Sequence, residues 1–190
     1  MDNEIIKYLS RYMIVSKELE DAINASEFVK SYKKGTILLE EGEIANECYF
    51  IIKGCIRSYY VNDGNEITTD IFTEDQSVTP SAYGKKMPSD YYVECVEDTV
   101  AGVGTPELEI DFFQKFPQLE SLSRSFADVI ISKQQDTLAE FKMASPEERY
   151  LKMLKNRPDL LQRVPLHQIA SFLGIKPESL SRIRKRIINQ

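Results

Sequence analysis

Val164-Pro165-Leu166-His167-Gln168-Ile169-Ala170-Ser171-Phe172-Leu173-Gly174-Ile175-Lys176-Pro177-Glu178-Ser179-Leu180-Ser181-Arg182-Ile183-Arg184-Lys185-Arg186-Ile187-Ile188 holds two short apolar periods with a glycine between them. Leu166, Ile169, Ala170 and Leu173 recur at helical spacing, Gly174 falls where the chain must turn, and Pro177 opens a second helix with Leu180, Ile183 and Ile187 on its inner face. Ala170 and Gly174 are expected to be small because the two helices cross closely there and the turn favours glycine. The outer face is then Glu178, Ser179, Arg182 and Arg186, flanked by Arg184 and Lys185. A helix-turn-helix places such a face in the major groove of double-stranded DNA, with N-terminal residues at base edges and flanking cations on phosphates. Glu178, Ser179 and Arg182 are the expected base contacts; Arg184, Lys185 and Arg186 are the expected phosphate contacts. An arginine can take both acceptors of a guanine and a glutamate can accept from a cytosine amino group, each pair discriminating by about 1–3 kcal/mol. A plain amphipathic hairpin with a solvated basic face is the blander reading. Small residue, turn glycine, spacing and charge agree better with the first.

Charge is distributed accordingly. The chain of 190 residues has a net charge of −6, yet residues 145–190 carry ten Lys/Arg against four Asp/Glu, and the preceding 144 carry fourteen against twenty-six. A basic tail domain on an acidic body points to a polyanion partner. With 42% hydrophobic and 28% charged residues the composition is that of a globular protein. No apolar run approaches the roughly 20 residues that span a bilayer, and Met1-Asp2-Asn3-Glu4 lacks a signal-peptide core. A cytoplasmic protein without a membrane partner is expected. Cys48, Cys55 and Cys95 show no C-x-x-C spacing and lie in apolar stretches, where cysteine acts as a small buried hydrophobe. His167 is the only histidine and reads as a surface or capping residue. No metal site, cofactor or His-dependent catalytic set is expected, and the chain does not read as an enzyme.

Upstream, Ile5, Ile6, Leu9 and Met13 keep helical spacing, and Ser16 opens a second short helix through Leu19 and Ile23. From Phe28 the pattern changes to short β-rich runs at 36–39, 48–52, 56–61, 67–72, 91–96 and 100–103, separated by turn signals at Gly35, Gly42, Gly54 and Asp63-Gly64. Many short strands at near-regular spacing mean a sandwich or barrel. After Thr105-Pro106, Leu108, Phe112 and Phe113 form a short helix that Pro117 interrupts. A long helix over 118–143 follows, with Leu119, Leu122, Phe126, Val129 and Ile130 near coiled-coil spacing, a weak stretch at Lys133-Gln134-Gln135-Asp136, and a resumption at Leu138 and Phe141. By periodicity alone it packs equally well on its own barrel or on a second copy. Ser145-Pro146-Glu147-Glu148 is a capping box that starts a helix carrying Tyr150, Leu151 and Leu154, which stops before Pro158.

The chain resembles the Crp–Fnr superfamily of transcription regulators over residues 33–187. Similarity is strongest in Lys34-Gly35-Thr36-Ile37-Leu38-Leu39-Glu40-Glu41-Gly42, in Tyr49-Phe50-Ile51-Ile52-Lys53-Gly54 and over residues 168–184. The resemblance implies an α+β chain: an N-terminal β-roll of the cyclic-nucleotide-binding type (a double-stranded β-helix), a long dimerisation helix, and a C-terminal helix-turn-helix domain. Residues 1–106, 107–144 and 145–190 are the corresponding domains. It also makes Leu119, Leu122, Phe126, Val129 and Ile130 a dimer seam, and sets Glu178 and Arg182 on family base-reading positions with Ser179 beside them. Pro177 stands where many relatives carry an arginine, so a different operator preference is expected. Gln190 follows the second helix so closely that a full C-terminal wing is not expected, which should weaken backbone contacts.

The family's nucleotide-holding Gly-Glu and Arg-Ser/Thr pairs fall here, without gaps, on Val78-Thr79 and Ser89-Asp90. A cyclic phosphate would lose its guanidinium fork and meet a carboxylate. A candidate effector pocket, for an unidentified small molecule, comprises Val78, Thr79, Tyr83, Ser89, Asp90 and Tyr92, with Tyr91 and Glu94 nearby. The β-roll has no histidine for haem, and the N-terminal region has no cysteine cluster for iron–sulfur. The reading is a DNA-binding homodimer on a pseudo-palindromic operator, with RNA polymerase as the partner the resemblance implies. The rival is a small-molecule sensor acting through protein contacts without DNA. Calorimetry with cyclic AMP should show no binding in the micromolar range; a micromolar titration would overturn the phosphate-site argument.

Overall fold

The computed structural model describes residues 3–26 and 28–188. The helices and strands are, in chain order, α1 Glu4–Leu9, α2 Lys17–Ala25, β1 Val29–Tyr32, β2 Ile37–Leu39, β3 Cys48–Lys53, β4 Ile56–Asn62, β5 Asn65–Phe72, β6 Ser77–Val78, β7 Tyr92–Cys95, β8 Thr99–Gly104, α3 Pro106–Lys115, α4 Pro117–Met143, α5 Pro146–Asn156, α6 Leu160–Arg163, α7 Leu166–Phe172 and α8 Pro177–Ile188. The expectation about a wing falls on residues 189 and 190, outside the described residues, as does part of the acidic N-terminus. Among the described residues no helix is long and apolar enough to cross a membrane.

The strands form two open four-stranded antiparallel sheets, ordered β1-β8-β3-β6 and β2-β7-β4-β5. Of the expected sandwich or barrel, the open pair of sheets is what forms. Leu39, Tyr49, Ile51, Ile56, Val78, Val93, Cys95, Ala101 and Val103 fill the space between them. β1 and β6 escaped the pattern reading because Val29-Lys30-Ser31-Tyr32 is mostly exposed and Ser77-Val78 is only two residues long. Pairing with β8 and β3 makes them strands. Gly54, at φ +116°, turns β3 into β4, and a Cβ there would lie 2.7 Å from the Thr99 backbone.

Helix ends follow the sequence closely. Ser16 accepts from the Leu19 amide, and Ser145 and Glu148 close the capping box reciprocally. Pro117 begins α4 at its first turn, where its missing N–H is no loss. Cys55 and Cys95 are buried and Cys48 is half-buried; all three are free thiols. Burial pushes the Cys55 thiol up to about 12.

The C-terminal helices dock on the outer face of the second sheet. One apolar cluster joins Cys55, Ile71 and Val96 of the β-region to Tyr150, Met153, Leu160, Val164, Ile169, Ala170, Leu173, Leu180 and Ile183. The free edge of that sheet, β5, is covered by α7. There the Ser171 hydroxyl accepts from the Thr68 amide at 2.9 Å and donates to the Glu66 carbonyl at 3.1 Å. Arg163 grips Glu74 with two parallel hydrogen bonds of 2.8 Å, and also reaches Glu97 (2.6 Å) and the Gly54 carbonyl (2.8 Å). Arg157 donates to the Ile71 carbonyl at 2.6 Å and the Thr73 hydroxyl at 3.1 Å.

Burial alone would raise the Glu74 carboxyl, but hydrogen bonds from Arg163 and from the Gly54 amide outweigh it and bring it down to about 2. A carboxyl depressed in the folded state stabilises the protein above its ordinary value of 4.5, and that contribution disappears as pH falls from there to about 2. Arg163→Ala should lower stability at neutral pH by about 1–2 kcal/mol, the discount reflecting side chains that are 21% and 40% exposed. The variant should also lose the part of the acid dependence between pH 4.5 and 2 that Glu74 contributes. Denaturant melts of both proteins across that range check this; coincident curves would show that Arg163 carries no docking energy, and parallel displaced ones that it does not hold down the Glu74 pKa.

Candidate nucleic-acid interface

The turn between α7 and α8 closes as a Schellman-type cap. The Ile175 amide returns to the Ala170 carbonyl at 3.0 Å, and Gly174 takes the left-handed conformation at φ +68°. The expected close crossing of α7 and α8 at Gly174 is not the reason for its size. A Cβ there would meet the Phe141 ring of α4 at 2.8 Å. Ala170 is fully buried in the cluster shared with the sheet.

Pro177 opens α8, and Leu180 and Ile183 seal its inner face at 1% and 7% exposure. Glu178, Arg182, Lys185 and Arg186 are exposed, and Ser179 is half-buried. The Ser179 hydroxyl accepts from the Arg182 guanidinium at 3.2 Å, one turn apart, which holds Arg182 along the exposed face. Arg186 is ion-paired with Glu147 at the start of α5. Arg184 follows Leu180 by four residues and is half-buried, on the flank between the packed face and Lys185. A shallow groove beside this face runs along Ser145, Pro146, Ile175, Ser179 and Arg182. His167 is exposed.

The candidate effector residues are only partly brought together. Val78 is buried between the sheets; Thr79 and Asp90 are exposed. Ser89 is buried, its hydroxyl donating to the Tyr91 carbonyl at 2.8 Å. Tyr91 lies against the inter-sheet core and its hydroxyl accepts from the Ser81 amide at 2.8 Å. Tyr83 turns its buried hydroxyl toward Cys48 and Glu109, and burial raises its pKa well above the usual phenol range. Tyr92, expected in the pocket, lies on the opposite face. Strand alternation sends Val93 and Cys95 inward, and leaves Tyr92 stacked on Tyr59 at 5.0 Å on the outside.

That outer face holds a charge cluster that hydrophobic patterning passed over. Arg57, the only arginine in residues 29–107, has a side chain 3% exposed. It donates to Glu94 at 2.6 and 2.8 Å and to the Thr68 hydroxyl at 3.2 Å, pairs with Glu66, and lies 4.1 Å from the centre of the Tyr59 ring. A buried guanidinium is tolerable only when its donors are taken up in this way. What sets Arg57 opposite Glu94 is the β4–β7 register, which only the folded sheet shows. Composition could not supply it.

Along α4 the expected seam divides. Leu119 packs with Leu19, Ile23 and Phe116 against the N-terminal helices. Phe126 meets the Tyr12 ring edge-on at 4.8 Å, and Leu122 is half-buried. Val129 and Ile130 are 64% and 46% exposed, as are Ile131 and Leu138 at 54% and 56%. Ile131 lies outside the expected seam.

Residues 29–107 match the family of the cyclic nucleotide-binding domain. Comparison with curated proteins finds no match. Among solved structures, the fold is similar to FixK2 from Bradyrhizobium japonicum, at 17% identity and a TM-score of 0.69 over 85% of this chain and 84% of that one. It is similar to CLP of Xanthomonas campestris, described as a c-di-GMP-responsive global regulator, at 17% identity and 0.67 over 90% of each chain. It is also similar to a mutant of CooA from Carboxydothermus hydrogenoformans, at 14% identity and 0.64 over 89% and 83%.

Proposed function

We propose that this chain, a cyclic-nucleotide-binding-type domain joined to a helical C-terminus in the fold of the Crp–Fnr regulators, is a DNA-binding transcription regulator that works as a homodimer. The observation that carries the reading is the exposed face of α8. Glu178, Ser179 and Arg182 project from a helix whose back is sealed by Leu180 and Ile183, behind a turn held by Gly174. Glu178 and Arg182 read base edges, and Lys185 and Arg186 hold phosphates. Two such helices enter successive major grooves about 34 Å apart. The second copy packs on α4 around the exposed Val129, Ile130, Ile131 and Leu138, apolar side chains that water would otherwise surround. The acidic β-region then stands beside RNA polymerase.

Control by cyclic AMP is not part of this reading. The one arginine of the matched domain is committed to Glu94 and Glu66 on the outer face of the sheet, so no guanidinium is left to fork a phosphate among residues 78–92. The phenol of Tyr91 already occupies the Ser81 amide.

Arg182→Ala should relax specificity at one base position, at a cost of about 1–3 kcal/mol for the preferred base. Arg186→Ala should weaken all sequences alike and reduce the salt slope by about 1. Glu147→Gln frees Arg186 and removes a carboxylate from the phosphate side, and should raise affinity by about two- to fivefold at low salt. Gel-shift titrations against duplexes selected by the wild-type protein check all three. Unchanged binding in both arginine variants would refute the docking.

A further inference from the structure

We propose that Arg149 is a positioning residue for the recognition helix, fixing the angle between α8 and the α4 helices of the dimer; the proposal rests on the DNA-binding reading above. Only Ala144 and Ser145 separate α4 from α5, both extended at ψ 139° and 160°. Two residues with free torsions would let the C-terminal half of α4 swing against the helix-turn-helix. That half of α4 has no buried residue to hold it.

Arg149 spans this junction with one planar group. NH1 donates to the Phe141 carbonyl at 3.2 Å and to the Ala144 carbonyl at 2.9 Å, both at the C-terminal end of α4. Nε donates to the Leu173 carbonyl at 3.1 Å, at the C-cap of α7. The carbonyls left over at two helix ends, each carrying partial negative charge, therefore converge on the same cation. The guanidinium also lies 4.3 Å from the centre of the Phe141 ring. Gly174 closes on the tip of that ring, where an added Cβ would stand 2.8 Å from Cζ and 3.8 Å from the Arg149 Nη2. Arg149, Phe141 and the turn glycine thus meet at one point, joining α4 to the turn that aims α8. Lys152 and Glu140 pair across the same junction, but both are solvated and such pairs contribute little.

Fork geometry is what the site uses. A lysine keeps the charge but cannot serve three carbonyls in two directions while stacking on a ring. In a dimer reading half-sites about 34 Å apart, a few degrees at each of two hinges moves the helices by several ångströms, on the order of one base-pair step. Loss of Arg149 should therefore relax the spacing between half-sites without weakening the reading of either half.

The test uses full-length wild type, Arg149→Lys and Phe141→Leu, with duplexes recovered from a random library by the wild-type protein and rebuilt with half-site centres about 9 to 13 base pairs apart. Wild type should prefer one spacing by about tenfold or more; both variants should fall to within about threefold across the series while keeping their affinity for a single half-site. A DNA-independent measurement accompanies it: pulsed electron paramagnetic resonance between nitroxides at Ser132→Cys on α4 and Ser181→Cys on α8. A narrow wild-type distance distribution should broaden in Arg149→Lys. An unchanged spacing preference or an unchanged distribution overturns the proposal. If wild type recovers no duplex while the distribution broadens, the positioning role stands and the DNA-binding reading falls. Loss of half-site affinity in step with spacing preference would make Arg149 a general stabilising residue, and would also overturn it.

Discussion

Strand β4 sends Ile56 into the space between the sheets and Arg57 and Tyr59 to the other side, so both of its faces have to be closed to water. The inner face is closed by the opposing sheet. On the outer face the sheet's own Glu94 and Glu66 satisfy Arg57, and the C-terminal helices cover Ile71 in the shared apolar cluster and the edge amide of Thr68 through Ser171. The rest follows from that closure. The helix-turn-helix shares its core with the sheet, α7 is spent on docking, and α8 is the helix left with an exposed polar face.

The docking is mixed in chemistry. Apolar burial supplies most of the favourable free energy, at about 1.5–3 kcal/mol for each large aliphatic side chain fully removed from water. The arginines add direction. Arg163 matches the plane of the Glu74 carboxylate while touching Glu97 and the Gly54 carbonyl, and Arg157 takes the Ile71 carbonyl. A fork bound to several acceptors fixes an orientation in a way that greasy contact does not. The same device recurs at Arg149, where a guanidinium joins α4 to the turn before α8. Basic residues of the C-terminal region therefore divide into two populations. Arg149, Arg157 and Arg163 hold the domain in place, whereas Arg182, Lys185 and Arg186 face outward. The net positive charge of residues 145–190 does not by itself distinguish them.

The sheet region shows a comparable division between what fills space and what recognises. Its inner core is continuous, with Tyr91 packed against it, and its single arginine is bound on the outside. A phosphate ligand needs a cation aimed inward, and the alternation of β4 and β7 aims this one the other way. On α4 the first turns are used up against α1 and α2, while the middle and the end present aliphatic side chains to solvent.

Local chemistry determined much of this protein from sequence alone. The capping box, the proline-started helices, Gly174 with its positive φ, and the 2.0 and 3.6 residue periods are each set by neighbours a few residues apart, so most strand runs, the long helix and the exposed Glu178–Arg182 face could be read directly. Tertiary structure alone decided the placement of Tyr92 outside the pocket, the burial of Arg57 and the contact that keeps Gly174 small. Each depends on a partner distant in the chain: Tyr59 for Tyr92, Glu94 for Arg57, and Phe141 for Gly174. Hydrophobic periodicity records which face of an element avoids water. It carries no information about which of many carboxylates or rings will meet that face, because that choice is made by packing in three dimensions.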